Sequence, residues 1–75
     1  MALKERQFVV CIDDGGYPAS LEPRKIYEVL ADPEGEKHDQ RRVIDESGED
    51  YLYPRSLFLD IQLPKRIAEA IVSAA

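Results

Sequence analysis

Side chains able to do chemistry are scarce in this chain, and their spacing limits what that chemistry could be. Cys11 and His38 are the single cysteine and the single histidine of 75 residues. A cysteine nucleophile needs a base beside it, whereas Cys11 sits inside the apolar run Phe8-Val-Val-Cys-Ile12, where a free cysteine behaves as a small core hydrophobe. His38 falls in the polar stretch Glu34–Gln40, which reads as solvated loop. One residue of each kind leaves no material for an acyl-transfer triad or for a His- or Cys-rich metal site. The run Asp45-Glu-Ser-Gly-Glu-Asp50 offers oxygen ligands but lacks the alternating spacing of a calcium loop, so its charges read as the crown of an exposed turn. Asp13-Asp-Gly-Gly16 has no Gly-Lys-Ser/Thr after it and no strand-to-helix switch, which makes it a turn and not a phosphate loop. These residues predict a non-enzyme with no cofactor and no metal, and they identify no small-molecule substrate.

Ten Lys plus Arg against fifteen Asp plus Glu leave a net charge of −5. A nucleic-acid binder gains affinity by clustering cations on phosphates, so an acidic chain must segregate its few cations onto one face to bind at all. Arg41, Arg42, Arg55, Lys65 and Arg66 are the set that could do so, with Tyr51 or Tyr53 as a stacking platform for single strands. The overall charge argues against nucleic acid, which stays as the alternative to a protein partner. The lone cysteine excludes an intrachain disulfide, and no stretch is long and apolar enough to span a bilayer. Met1-Ala-Leu-Lys-Glu-Arg-Gln7 is polar, has no signal-peptide core and reads as a frayed end. A cytoplasmic location without membrane contact is the expectation.

The elements that would position these groups are short. A chain of 75 residues, 44% hydrophobic and 33% charged, supports one small globular domain over 1–75. Phe8–Ile12 is of strand length, and a long ordered loop runs from Asp13 to Lys25. Ile26-Tyr-Glu-Val-Leu30 alternates, with Tyr27 and Val29 opposite Ile26, Glu28 and Leu30. Ala31–Gln40 has nothing to bury and reads as a second loop. Arg42 to Pro54 forms a hairpin around a tight Ser47-Gly48 turn, Gly48 supplying the positive φ. A regular hairpin centred there puts Tyr51 and Tyr53 on the side of Ile44, with Val43 and Leu52 opposite. Leu57-Phe-Leu-Asp-Ile-Gln-Leu63 alternates as a fifth strand. Pro64 then opens a C-terminal helix over 64–75, with Ile67, Ala70, Ile71 and Ala74 at helical spacing.

Five short strands with a long first loop, a variable second loop and a tight third turn match an all-β, five-stranded SH3-like barrel over 8–63 with a short C-terminal α-helix. Leu21-Glu-Pro-Arg-Lys-Ile-Tyr-Glu-Val-Leu30 resembles the SH3 passage from the first loop into the second strand. Tyr53-Pro-Arg-Ser-Leu-Phe58 resembles the turn between the fourth and fifth strands. The element pattern also admits a five-stranded barrel of another topology. The whole is similar to a group of short, uncharacterised bacterial proteins sharing the core Asp45-Glu-Ser-Gly-Glu-Asp-Tyr-Leu-Tyr-Pro54, a likeness that implies no activity. The SH3 resemblance implies a fold and withholds the usual ligand. SH3 domains dock polyproline between rows of aromatic side chains; the matching positions here carry Ile12, Asp14, Leu52 and Leu57, and only Pro54 is kept.

What remains is a protein-interaction or regulatory module of the bacterial cytosol. Its candidate contact residues are Tyr51, Leu52, Tyr53, Leu57, Ile67 and Ile71. The tyrosines form an aromatic patch if Val43 and Leu52 turn inward, and the helix offers an apolar stripe if it does not lie on the barrel.

Overall fold

The computed structural model describes residues 7–74. The expected frayed end therefore lies outside the described residues except for Gln7, and the side chain of Ala74 lies outside them as well. Five antiparallel strands, β1 (Gln7–Cys11), β2 (Ile26–Leu30), β3 (Gln40–Ile44), β4 (Asp50–Pro54) and β5 (Phe58–Ile61), form one sheet in the order β4-β3-β2-β1-β5. β4 and β5 are its edges, so the sheet is not closed by a ladder. Among the described residues two helices complete the fold: α1 (Pro33–Lys37) between β2 and β3, and α2 (Lys65–Ala74) after β5. A single 3-10 turn, Arg55–Leu57, joins β4 to β5.

One face of the sheet is the core. Val9 and Cys11 of β1, Tyr27 and Val29 of β2, Val43 of β3, Tyr53 of β4 and Phe58 of β5 bury together, and Leu21 and Leu57 close over them from the loops. β2 keeps the expected pairing of its side chains, and Tyr27 and Val29 are the pair that goes inward. β5 does not follow its leucines: Phe58 is 6% exposed and Leu59 is 56% exposed. The four-residue apolar alternation Leu57, Leu59, Ile61, Leu63 thus belongs mostly to the outer face, with Leu57 buried only because it sits in the 3-10 turn before the strand.

The hairpin corrects the expected facing of its tyrosines. Val43 opposes Tyr51 and Arg41 opposes Tyr53, so both tyrosines share a face with Val43, while Leu52 lies with Arg42 and Ile44. The turn explains the one-residue shift. Asp45 N–H donates to Glu49 O at 3.0 Å and Gly48 N–H to Asp45 O at 2.9 Å, which leaves a three-residue loop, Glu46-Ser47-Gly48, with Gly48 at φ +85°. Such a loop ends in a left-handed residue where a two-residue turn would not, and a shift of one residue swaps every side chain between faces.

The stretch 31–40 is a second correction, since it contains helix α1 and not only loop. Asp32 caps it, Oδ1 accepting from Gly35 N–H at 2.9 Å, and Pro33 stands in the first turn where its missing N–H costs nothing. It also has something to bury: Gly35 lies so close to Leu52 that an added Cβ would sit 2.7 Å from Leu52 Cδ2. Arg42 Nε donates to Asp32 Oδ2 at 2.8 Å and ties α1 to the outer side of β3.

Candidate protein-interaction surface

Strand pairing builds an apolar row on the outer face. Val10 of β1 lies directly opposite Ile26 of β2 on one side and Leu59 of β5 on the other. Ile26 is 38% exposed, Leu59 more so, and Ile12 just beyond β1 is also exposed. The next row is Glu28, Phe8 and Ile61. Phe8 is buried although it stands apart from the inner cluster, so the outer face has an apolar centre of its own. On α2, Ile67 is exposed and Ile71 half-buried, which leaves part of the stripe uncovered.

The expected contact residues do not come together. Tyr53 and Leu57 are buried core, Tyr51 and Leu52 are exposed on opposite faces of β4, and Ile67 and Ile71 lie apart from them on α2. Of the positions aligned with SH3 aromatics, Ile12 and Leu52 are exposed, Asp14 is half-buried and Leu57 lies beneath Gly15. Ile26 and Leu59, the two ends of the observed row, were not among the predicted contacts. Tyr17 was passed over too: its ring stands edge-on to Tyr53 at 5.1 Å, and Tyr53 in turn meets Phe58 at 6.2 Å. Only strand register could have found the row, and no local pattern marks Tyr17.

Two carboxylates anchor the loops beside this sheet. Asp45, expected on the crown of the turn, is buried: Oδ2 accepts from Tyr53 Oη at 2.6 Å and Oδ1 from Ser47 N–H at 2.9 Å. Burial alone would raise its pKa, but the hydrogen bonds from Ser47 and Tyr53 together outweigh burial and hold it below the usual carboxylate range. Burial and the Asp45 partner push the Tyr53 hydroxyl up to about 12. Glu46 accepts from Tyr27 Oη at 2.6 Å and from Lys25 Nζ at 2.8 Å, and Lys25 followed by Tyr27 lowers its pKa. Tyr27 Oη also accepts from Glu22 N–H, so the first loop and the hairpin turn are tied together.

Two of the five candidate cations are committed within the fold. Arg41 is buried, donating through Nη1 to Asp60 Oδ1 at 2.7 Å and through Nη2 to Gln7 Oε1 at 3.2 Å, while its Nε is sealed without a partner. Arg42 is shared between Asp32 and Asp50. Both charges are thus set against carboxylates within the fold, Arg41 almost wholly enclosed and Arg42 partly exposed. Cys11 is fully buried, its Sγ donating to Asp13 O at 3.3 Å, and burial pushes its thiol pKa up. His38 caps the C-terminal end of α1, exposed, 3.4 Å from Glu34. Asp13 and Asp14 act as turn formers, each accepting from the glycine N–H two residues on at 2.9 Å. Among the described residues no group of three or more His, Cys, Asp or Glu side chains is placed to hold a metal ion, and no helix is long and apolar enough to cross a membrane.

No family model, no curated protein and no solved structure matches the chain.

Proposed function

We propose that this protein is a non-enzymatic protein-interaction module of the bacterial cytosol, built on an SH3-like barrel and binding through the outer face of β2, β1 and β5. The fold reading draws support from the strand order β4-β3-β2-β1-β5 and the 3-10 turn between β4 and β5, both features of the SH3 pattern. Side chains cross the open seam from β4 to β5 through the Tyr53–Phe58 contact. The observation that carries the function is the in-register row Ile26, Val10, Leu59, an apolar strip left at the surface of a very small domain. A protein this short has little apolar area to spare, and exposed contiguous apolar surface marks contact sites. Nucleic-acid binding is the weaker reading, because Arg41 and Arg42 are already paired within the fold.

The test compares wild type with Leu59→Asp and Ile26→Asp as baits in the native lysate, with Glu34→Ala as a surface control. A protein held by wild type and the control but lost by both outer-face variants, at unchanged urea midpoints, supports the reading. An identical capture pattern for all four baits overturns it.

A further inference from the structure

β4 is an edge of the sheet, and its ladder to β3 fixes which of its backbone groups are left over. The pairs Asp45 with Glu49 and Asp39 with Arg55 are hydrogen-bonded, at 3.0 Å and 2.8 Å, and continue the β3–β4 register at either end. Bonded and unbonded pairs alternate in an antiparallel ladder, so Tyr51 and Tyr53 turn their backbone groups to β3, while Asp50, Leu52 and Pro54 turn theirs outward. Among the described residues no backbone bond reaches these outward groups. The side chains along the same edge are open too, Tyr51 at 50% and Leu52 at 36% exposure. Glu49 and Arg55, three residues before and three after Leu52, are exposed and of opposite sign. Arg55 makes no ion pair among the described residues.

We propose that β4 pairs antiparallel with β4 of a second copy of this chain, about a two-fold axis at Leu52, so that the two sheets join edge to edge. In that register Leu52 N–H donates to the Leu52 carbonyl of the second copy and Asp50 N–H to the Pro54 carbonyl, and symmetry repeats each bond. Pro54 has no N–H and so leaves no donor behind. Tyr51 stands opposite Tyr53 of the second copy, in an unbonded pair where side chains come closest, beside the Tyr17 ring that already meets Tyr53 edge-on. Glu49 falls opposite Arg55, one ion pair on each side of the axis. A slip of two residues one way sets Leu52 against Pro54 and leaves the Leu52 carbonyl without a donor; the slip the other way parts Glu49 from Arg55. Charge complementarity thus selects both the register and the occupant, because the edge carries the two signs at equal distances from its own centre. The contact lies apart from the Ile26–Leu59 row and is independent of what that row binds.

Sedimentation equilibrium of the full chain over a wide concentration range at low salt tests it, with a reversible monomer–dimer equilibrium as the expected result. Arg55→Glu should weaken the dimer by about tenfold, the scale of two exposed ion pairs. Glu49→Arg combined with Arg55→Glu exchanges the two charges and should restore it, which a merely structural effect at either position would not do. Leu59→Asp, on the outer face, should leave self-association unchanged. Hydrogen exchange at the Asp50 and Leu52 amides should slow as the chain is concentrated, since only pairing covers them. The proposal fails if the chain is monomeric at every concentration, if the exchanged charges do not recover the dimer, or if Leu59→Asp disperses it, which would move the self-contact to the outer face. A monomer whose lysate capture still depends on Leu59 removes the edge contact alone.

Discussion

On the inner side of β2, β1 and β5 the side chains of Tyr27, Val9 and Phe58 are sealed, while on the outer side of the same strands Ile26, Val10 and Leu59 line up across the sheet and remain partly in water. The two sets are alike in hydrophobicity and differ in what lies over them. The inner face is closed by Leu21 and Leu57 and knitted by the ring contacts of Tyr17, Tyr53 and Phe58. The outer face has α1 against its β3 side, while Ile26 and Leu59 stay exposed. Apolar content therefore does not by itself assign a residue to the core in this fold; enclosure does.

The sharpest way to break this comparison is to remove one side chain from each face of a single strand. Phe58→Ala should cost about 3–5 kcal/mol through lost transfer energy and the cavity left behind. Leu59→Ala, one residue on, should stay within about 0.5–1 kcal/mol, because little area is lost from an exposed site. Urea denaturation of the two variants measures both. Similar losses would mean that the outer face is enclosed in solution and is not a contact surface.

A second test addresses the polar lock on the inner side. Asp45→Asn should cost about 1–3 kcal/mol, since the buried partner Tyr53 Oη loses its charged acceptor. Asp45 and Glu46 both have folded pKa values below their ordinary values of 3.8 and 4.5. A depressed carboxylate contributes stability that is complete above the unfolded pKa and is lost as pH falls through the folded one. The urea midpoint of wild type should therefore drop below about pH 4.5, and Asp45→Asn should flatten that limb. At the other end the raised Tyr53 pKa gives stability that is full below about pH 10 and declines towards 12. An acid limb identical in wild type and variant would show that the Tyr53–Asp45 bond does not hold the turn.

The contrast between the faces also explains what could be read from residue order. The bounds of β2 and the sets of residues that share its faces were legible, from a run of strand length with side chains at period two; which face is core was not, since both carry apolar residues. The all-β class, the five strands and the C-terminal helix were legible from runs of strand or helix period broken by Gly and Pro, whereas closure into a barrel was not. The facing of β4 was not, since Tyr51, Leu52 and Tyr53 are all apolar and only the Asp45 turn decides the register. α1 escaped because five residues, one of them glycine, carry no period, and its stability comes from the Asp32 cap, Arg42 and contact with Leu52. The outer row escaped because it exists only when three strands from separate parts of the chain are set side by side. The buried role of Asp45 likewise depends on Tyr53, eight positions away across the hairpin.

Glycine substitutions sharpen the comparison at the smallest scale. A Cβ at Gly15 would stand 2.7 Å from Leu57 Cδ1, on the core side, and one at Gly35 would stand 2.7 Å from Leu52 Cδ2, on the outer side. The distances match and the consequences should not. Gly15 also has φ +61°, and Leu57 is packed among core residues that cannot yield, so Gly15→Ala should cost about 1–3 kcal/mol. Gly48, at φ +85° with open space around it, isolates the backbone part, and Gly48→Ala should cost about 1 kcal/mol. Gly35 lies in α1, where alanine is the better helix former by about 1 kcal/mol, and the clashing atom is the free end of an exposed leucine. Its replacement should change stability by no more than about 0.5 kcal/mol, because propensity and clash oppose each other. Thermal or urea unfolding of the three variants should rank them Gly15, Gly48, Gly35 in falling cost. A large loss at Gly35 would mean that Leu52 is held as firmly as Leu57, and that the outer face over β3 and β4 is a second core.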